Sequence, residues 1–202
     1  MKRSLSVVQT LLVTSAVITT ALTLPPSVAN ATPITFVAHL TQALEVPPSG
    51  SPGTGTATVV LDTAANTMQV DVTFSGLEAG TTASHIHCCL ASPFLTGVNV
   101  GVATTTPTFT GFPLGVTSGT YSHLFDLTLA SSYNPAFDGA TPAAQEATLV
   151  AGIEAGETYL NIHTTMFPGG EIRGFLVPAP EPSSLVLLGS ALLGFGLIRR
   201  RY

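Results

Sequence analysis

The sequence has few charged side chains, two cysteines and no tryptophan. Only 8% of its 202 residues are charged, with six Lys or Arg against eleven Asp or Glu. Five of the six basic residues lie among the first three or the last four residues, so the segment 32–178 keeps one basic side chain, Arg173, and ten acidic ones. A segment without lysine and with this acidic balance repels phosphate backbones, which excludes nucleic-acid binding.

The two cysteines, Cys88 and Cys89, are neighbours. Adjacent residues rarely meet disulfide geometry, and a secreted protein normally separates a structural pair, so we predict two separate thiols and no disulfide framework. Both directly follow His87, so one interpretation is thiolate binding of a soft metal beside the imidazole. The other is two small apolar residues at a strand end. This second interpretation is favoured because adjacent strand residues face opposite ways.

The N-terminus has the layout of a secretory signal peptide. Residues 1–3 are basic at two positions, an apolar and Thr-rich run follows, and Ala29 and Ala31 form an A-x-A cleavage site. The prediction is a signal peptide over 1–31 and a mature chain that begins near Thr32.

The middle of the chain alternates apolar and polar residues over short runs, which predicts strands buried on one face. Thr141 as N-cap, Pro142 in the first turn and Gly156 as a stop predict the one helix. The predicted strands cover 34–40, 53–61, 67–74, 83–87, 119–129, 157–163 and 170–176, and the Gly- and Thr-rich stretch 88–117 holds at most one short strand near 98–103. Seven or eight antiparallel strands and one short helix predict an all-β Greek-key sandwich or barrel, with hydrophobic helices at the two termini.

The sequence His85-Ile86-His87 is a candidate for binding a metal ion. Residues i and i+2 of a strand project from one face, so the two imidazoles point the same way, outward or into a mouth at the sheet edge. His163 on the last predicted hairpin is the candidate third ligand, for copper or zinc. The alternative is that the histidines only hydrogen-bond to loops and acids.

Arg173 is the one basic side chain of the domain, and Glu171 shares its strand face. An arginine among ten acids is more readily a structural partner than a catalytic group, because guanidinium binds carboxylate in a bidentate way. We predict a structural ion pair of Arg173 with Glu171 or Glu45.

No pattern of a catalytic nucleophile is present. The sequence has no G-x-S-x-G, no glycine-rich phosphate loop and no H-E-x-x-H, and its acids are scattered without a carboxylate pair. No catalytic residue is therefore assigned, and the sequence favours a protein that is not an enzyme.

Four motifs occur in the order found in the CHRD, or chordin-type, domain. They are 36–48 (FVAHLTQALEVPP), 83–87 (ASHIH), 159–164 (YLNIHT) and 168–174 (PGGEIRG). The chain resembles that family from about Phe36 to Leu176. The resemblance implies a secreted, β-rich module with no established catalytic activity.

The C-terminus resembles a PEP-CTERM sorting signal. Pro180, Glu181 and Pro182 precede the uncharged run 185–198 and a cluster of three arginines. This resemblance implies a bacterial protein whose tail, 179–202, is a short transmembrane helix held transiently in the inner membrane. An exosortase-like enzyme would remove the tail and deliver the domain, 32–178, to the cell surface or matrix. The alternative is a plain membrane anchor, although the run is shorter than the roughly 20 residues that span a bilayer.

A shorter segment is similar to copper–zinc superoxide dismutase. Residues 76–80 (GLEAG), followed by His85 and His87, resemble the segment with the first two copper ligands of that family. After His87 the next histidine is His123, so the bridging and zinc ligands have no counterpart. The resemblance implies a superoxide-dismutase-like fold, with an immunoglobulin-like one as the alternative, and a mononuclear three-histidine copper site.

Two hypotheses for the function follow from the sequence. The preferred one is an exported, non-enzymatic module at the cell surface or in the extracellular matrix. The other is an extracellular copper- or zinc-binding protein, conceivably redox-active. Convergence of the nitrogens of His85, His87 and His163 would favour the second hypothesis.

Overall fold

The structure, a computed structural model, describes residues 32–90, 97–139 and 141–180. The predicted signal peptide and the predicted C-terminal helix lie outside these residues, as do Glu181 and Pro182. Within the described ranges no helix is long and apolar enough to cross a membrane.

Eight strands and one α-helix make up the described fold, in agreement with the predicted antiparallel all-β class with one short helix. The strands are β1 (Ile34–Thr41), β2 (Thr54–Asp62), β3 (Thr67–Ser75), β4 (Thr81–His87), β5 (Gly119–Asp126), β6 (Tyr159–Thr164), β7 (Ile172–Phe175) and β8 (Val177–Pro178). The α-helix α1 is Pro142–Glu154, and two short 3-10 turns are Gln42–Leu44 and Ala130–Ser132.

All strands belong to one antiparallel sheet that curls into a half-barrel. Its order is β4-β6-β7-β1-β2-β3-β5, and β8 pairs with β1. Strand β3 lies next to one edge of the sheet. After β3 the chain forms β4 at the opposite edge, and it then returns to form β5 beside β3. This crossing brings the two strands that carry the candidate metal ligands, β4 and β6, into a direct pair.

The core lies on one face of the sheet, as the alternation predicts. In β3 the buried positions are Met68, Val70, Val72 and Phe74, at 0–3% exposure. Ile34 shares the face of Phe36 but is 42% exposed, because it is the first residue of β1. Burial of such alternating apolar side chains is the main stabilising term of the sheet.

Helix α1 begins and packs as its sequence predicts. The Thr141 hydroxyl accepts a hydrogen bond from the Ala144 amide at 3.3 Å, and Pro142 occupies the first turn. Leu149 and Ile153 are fully buried in the core. The helix thus covers one end of the half-barrel next to the cysteines.

The two cysteines differ from the prediction. Their sulfur atoms are bonded to each other in a disulfide across a cis peptide, so the predicted pair of separate thiols is wrong. The sulfurs lie against Gly152 of α1, where an added Cβ would sit 2.5 Å from Cys88 Sγ and 2.7 Å from Cys89 Sγ. Glycine is therefore required at this close contact.

We expect Gly152→Ala to lower the free energy of unfolding by about 1–3 kcal/mol, because the new methyl overlaps two sulfur atoms. Helix propensity alone would give the opposite sign, a gain of about 1 kcal/mol. Urea unfolding measures the change, and Ala151→Gly at the exposed neighbouring position is the control, with a loss of about 1 kcal/mol from propensity only. A Gly152→Ala protein more stable than wild type would contradict the packing.

Candidate metal centre

Three histidines meet where β4 pairs with β6. In this pair His85 lies opposite Asn161, and Ala83 lies opposite His163, so His163 is the diagonal neighbour of His85. His85 and His87 are two residues apart in β4 and therefore share this face. The pairing brings the three imidazoles together on one side of the sheet.

The three rings are close enough to share one ion. One ring nitrogen from each of the three lies within 4.8 Å of the others. The ring centroids of His85 and His163 are 5.3 Å apart, and those of His85 and His87 are 5.8 Å apart. Bonds from zinc to imidazole nitrogen are about 2.0–2.1 Å long, so three nitrogens around one ion need only a small further approach.

Each ring uses its other nitrogen to bind a backbone carbonyl. His85 Nε2 lies 2.6 Å from Pro107 O, His87 Nδ1 lies 2.7 Å from Val100 O, and His163 Nδ1 lies 2.9 Å from Pro168 O. A carbonyl only accepts, so the facing nitrogen carries the proton in each neutral ring. The remaining nitrogen of each ring then has a lone pair, as in a metal-ligating histidine.

The nitrogens with lone pairs are His85 Nδ1, His87 Nε2 and His163 Nε2. All three are buried and have no hydrogen-bond partner. A buried polar atom without a partner costs about 1–3 kcal/mol, and such atoms are uncommon in folded proteins. A cation bound between these three nitrogens would satisfy all of them.

Burial keeps the three rings neutral. It lowers the pKa of His85 and of His87 to about 4, with the carbonyl hydrogen bonds opposing the shift and the neighbouring histidines adding to it. Burial also lowers the pKa of His163. Neutral imidazole is the form that binds metal ions, so no proton has to leave these rings at neutral pH.

The site is buried, in contrast to the predicted solvent-facing mouth. His85 and His87 are 6% and 8% exposed. The irregular segment 97–109 lies along the outer edge of β4, where Cys88 N donates to Gly101 O and Ala103 N donates to Ile86 O. This coverage could not be read from the alternation of β4 because the covering segment has no periodic pattern.

The strands that carry the three histidines lie within a segment that matches a known domain. Residues 36–176 match the CHRD domain. The chain belongs to the CHRD family. Residues 178–201 match the PEP-CTERM protein-sorting motif, which indicates export and cell-surface sorting and implies processing by an exosortase. No curated protein matches the chain, and no solved structure does.

A stack of three side chains holds His87, one of the candidate metal ligands of the CHRD domain, in place. The rings of His87 and Tyr159 are parallel, with centroids 4.7 Å apart and planes 7° apart. The guanidinium carbon of Arg173 lies 4.5 Å from the centroid of Tyr159. The Val100 amide donates to the Tyr159 hydroxyl, while the Val100 carbonyl binds His87. Tyr159 therefore fixes both the ring plane and the carbonyl partner of His87.

Arg173 is fully buried and binds two loop segments, one before β2 and one after β4. It donates to Leu44 O through Nε and to Asn99 Oδ1 through Nη1, the second at 2.9 Å. Its charge lowers the pKa of Glu45, although burial raises that pKa more strongly, to about 7. The structure thus brings Glu45 within the field of Arg173, and the ion pair of the two side chains stays a prediction.

Glu171, the other predicted partner of Arg173, is held by different groups. Its carboxylate accepts hydrogen bonds from Ser51 Oγ at 2.5 Å, the Glu78 amide at 2.7 Å and Thr164 Oγ1 at 2.6 Å. Glu171, just before β7, therefore joins this strand to the loop before β2, to the loop after β3 and to the end of β6. We assign it this joining role.

The sequence analysis missed the groups that orient the histidines. It gave only loops and acids in general as partners for the rings, whereas the carbonyls of Val100, Pro107 and Pro168 have that role. Backbone carbonyls carry no residue-type signal. The one available signal was the long irregular stretch 88–117, since such loops are frequently functional.

Proposed function

We propose that the CHRD domain of this protein binds one copper or zinc ion through His85, His87 and His163. The observation that carries the proposal is the meeting of three neutral imidazoles, each with its proton directed to a carbonyl and its other nitrogen buried without a partner. The protein is sorted to the cell surface. The proposed role is therefore binding of a transition metal ion outside the inner membrane.

The donor set favours these two metals. Imidazole nitrogen suits copper and zinc, whereas magnesium and calcium prefer oxygen ligands. Three protein ligands leave a fourth position open for a small molecule, as in catalytic zinc sites. Copper bound by the three histidines would add the redox activity that the sequence suggested.

Metal analysis of protein purified without an affinity tag tests the proposal. We expect about one copper or zinc ion per chain, by mass spectrometry of the native protein, as three-histidine zinc sites bind one ion. Metal-free protein that also fails to take up Cu(II) or Zn(II) in dialysis would contradict it.

The second candidate is a non-enzymatic surface module in which the histidines are structural. It is favoured by the carbonyl hydrogen bond that each ring already makes. The two candidates differ in the metal analysis, because only the first requires an ion. They agree on export and on the absence of an assigned catalytic residue.

The proposed division of the chain is a signal peptide (1–31), the CHRD domain (32–178) and a tail (179–202) that holds a precursor in the inner membrane. The match to the sorting motif supports the last part. An exosortase-like enzyme then removes the tail and releases the domain to the surface or matrix.

Replacement of Pro180, Glu181 and Pro182 by alanine tests this processing. We expect a full-length precursor in the membrane fraction and loss of the shortened surface form, because the motif is the recognition element. Immunoblots of cell fractions measure both forms. Ser183→Ala with Ser184→Ala, next to the Pro-Glu-Pro triplet within the matched segment 178–201, is the control and should be processed normally. Normal release of the triple variant would instead favour a plain membrane anchor that is cleaved elsewhere.

We also propose that the half-barrel is a Greek-key arrangement of the superoxide-dismutase-like type, with an immunoglobulin-like one as the alternative. The support is the crossing of β4 to the edge beside β6 and the return of β5 beside β3. An experimental structure of the domain tests the assignment.

A further inference from the structure

Asn161 lies on the same strand face as the three histidines and has no role in the proposal above. It is opposite His85 in the β4–β6 pair and opposite Arg173 in the β6–β7 pair. It is two residues from His163 in β6, so the two side chains share a face. Its position therefore directs the carboxamide toward the histidines.

The Asn161 carboxamide is buried without a partner for its oxygen. The side chain is 2% exposed, and Oδ1 makes no hydrogen bond. The described residues contain six buried side-chain polar atoms without a partner, and four of them are this Oδ1 and the three free ring nitrogens. All four are acceptors, so none of them can satisfy another.

His87 lies on the same face as Asn161, because His87 is two residues from His85 and His85 is opposite Asn161 in the strand pair. The free Nε2 of His87 and Asn161 Oδ1 are thus two buried acceptors on one strand face, and neither has a partner. A donor or a cation between them would satisfy both atoms.

A metal ion bound by the histidines would satisfy the three nitrogens and would keep an open coordination position. A ligand with an O–H group in that position would supply the donor that Oδ1 lacks, because an amide oxygen only accepts. We infer that Asn161 Oδ1 accepts a hydrogen bond from a small protic oxygen ligand, such as water, in the open position of the metal held by His85, His87 and His163. Asn161 is then a positioning residue that favours protic over aprotic ligands. This inference depends on the proposed function.

Azide competition on the Cu(II)-loaded protein tests the inference. Azide has no proton to donate, and it displaces the water that Asn161 holds. Asn161→Leu removes the acceptor at similar volume, so we expect azide to bind about fivefold more tightly than in wild type, the factor that the loss of one hydrogen bond gives. The change in the visible absorption of copper during the titration gives the affinity.

Thr158→Val is the matched control. Thr158 Oγ1 is also buried without a partner, but its side chain faces helix α1 at Gly152 and lies on the opposite face of β6. Azide affinity should stay at the wild-type value in this variant. Unchanged or weaker azide binding in Asn161→Leu would overturn the inference, since weaker binding would mean that the amide donates.

A measurement on the wild-type protein covers the case in which Asn161→Leu does not fold. Pulsed electron–nuclear double resonance of the Cu(II) protein in H2O and D2O detects the strongly coupled exchangeable proton of an oxygen ligand on copper, separately from the weakly coupled N–H protons of the three histidines. Such a proton is expected, and its absence would overturn the inference. Failure of wild type to bind either copper or zinc would overturn the proposed function as well, whereas copper binding with unchanged azide affinity would overturn only the role of Asn161.

Discussion

Replacing His87 by alanine is expected to weaken binding of Cu(II) or Zn(II) by about 100-fold or more. Structural zinc sites with four ligands have apparent binding free energies of about 10–16 kcal/mol, which is near 3 kcal/mol per ligand. His87 has a free nitrogen and lies between His85 and the Tyr159 stack. Isothermal titration at neutral pH, where the rings are neutral, measures the affinity.

His39→Ala is the matched control for this measurement. His39 is an exposed imidazole on β1, outside the cluster, so its removal should leave the affinity unchanged. Equal affinity of wild type and His87→Ala would reject the site and leave the second candidate function. His163→Ala gives an independent variant, because this half-buried ring has fewer packing contacts to lose.

Thermal unfolding gives a second readout of the same site. A ligand that binds only the folded state stabilises it by about 2.7 kcal/mol at a free concentration 100 times its Kd. Zn(II) should therefore raise the midpoint of wild type and of His39→Ala. It should raise the midpoint of His87→Ala much less at the same zinc concentration.

Strands β1, β2, β3 and β5 were predictable from the sequence because each of them has one buried face. In β3 every second residue from Met68 to Phe74 is apolar and buried, so the alternation carries the information. Helix α1 was predictable for a different reason, since Thr141 and Pro142 are a cap and a first-turn residue whose preferences are local. The pairing of β3 with β5 and of β4 with β6 depends on long-range packing, which no local pattern specifies.

The candidate site was predictable only in part, for the same reason. The spacing of His85 and His87 places both rings on one face, and the pairing of β4 with β6 adds His163. The burial of the site, by contrast, comes from an irregular segment whose carbonyls bind the rings. Backbone groups of a loop are positioned by the whole fold, so the sequence indicates the ligands but not their environment.

Replacing Arg173 by methionine is expected to lower the free energy of unfolding by about 3–5 kcal/mol, the usual cost of removing one partner of a buried charged pair. The guanidinium is fully buried, binds Leu44 O and Asn99, and lies on Tyr159. Methionine keeps much of the volume but none of the donors. Urea unfolding of the metal-free protein measures the loss.

Double-mutant cycles decide which acid is the partner of Arg173. Glu45 feels the charge of Arg173 and has a buried Oε1 without a hydrogen bond, so Glu45→Gln in the Arg173→Met background should recover about 1–3 kcal/mol as coupling energy. Glu171 already accepts from Ser51, Thr164 and the Glu78 amide, so its coupling to Arg173 should stay below about 0.5 kcal/mol. A larger coupling for Glu171 than for Glu45 would reverse the assignment. Glu171, rather than Glu45, would then be the acid that pairs with Arg173 and links the metal-site strands electrostatically to the rest of the sheet.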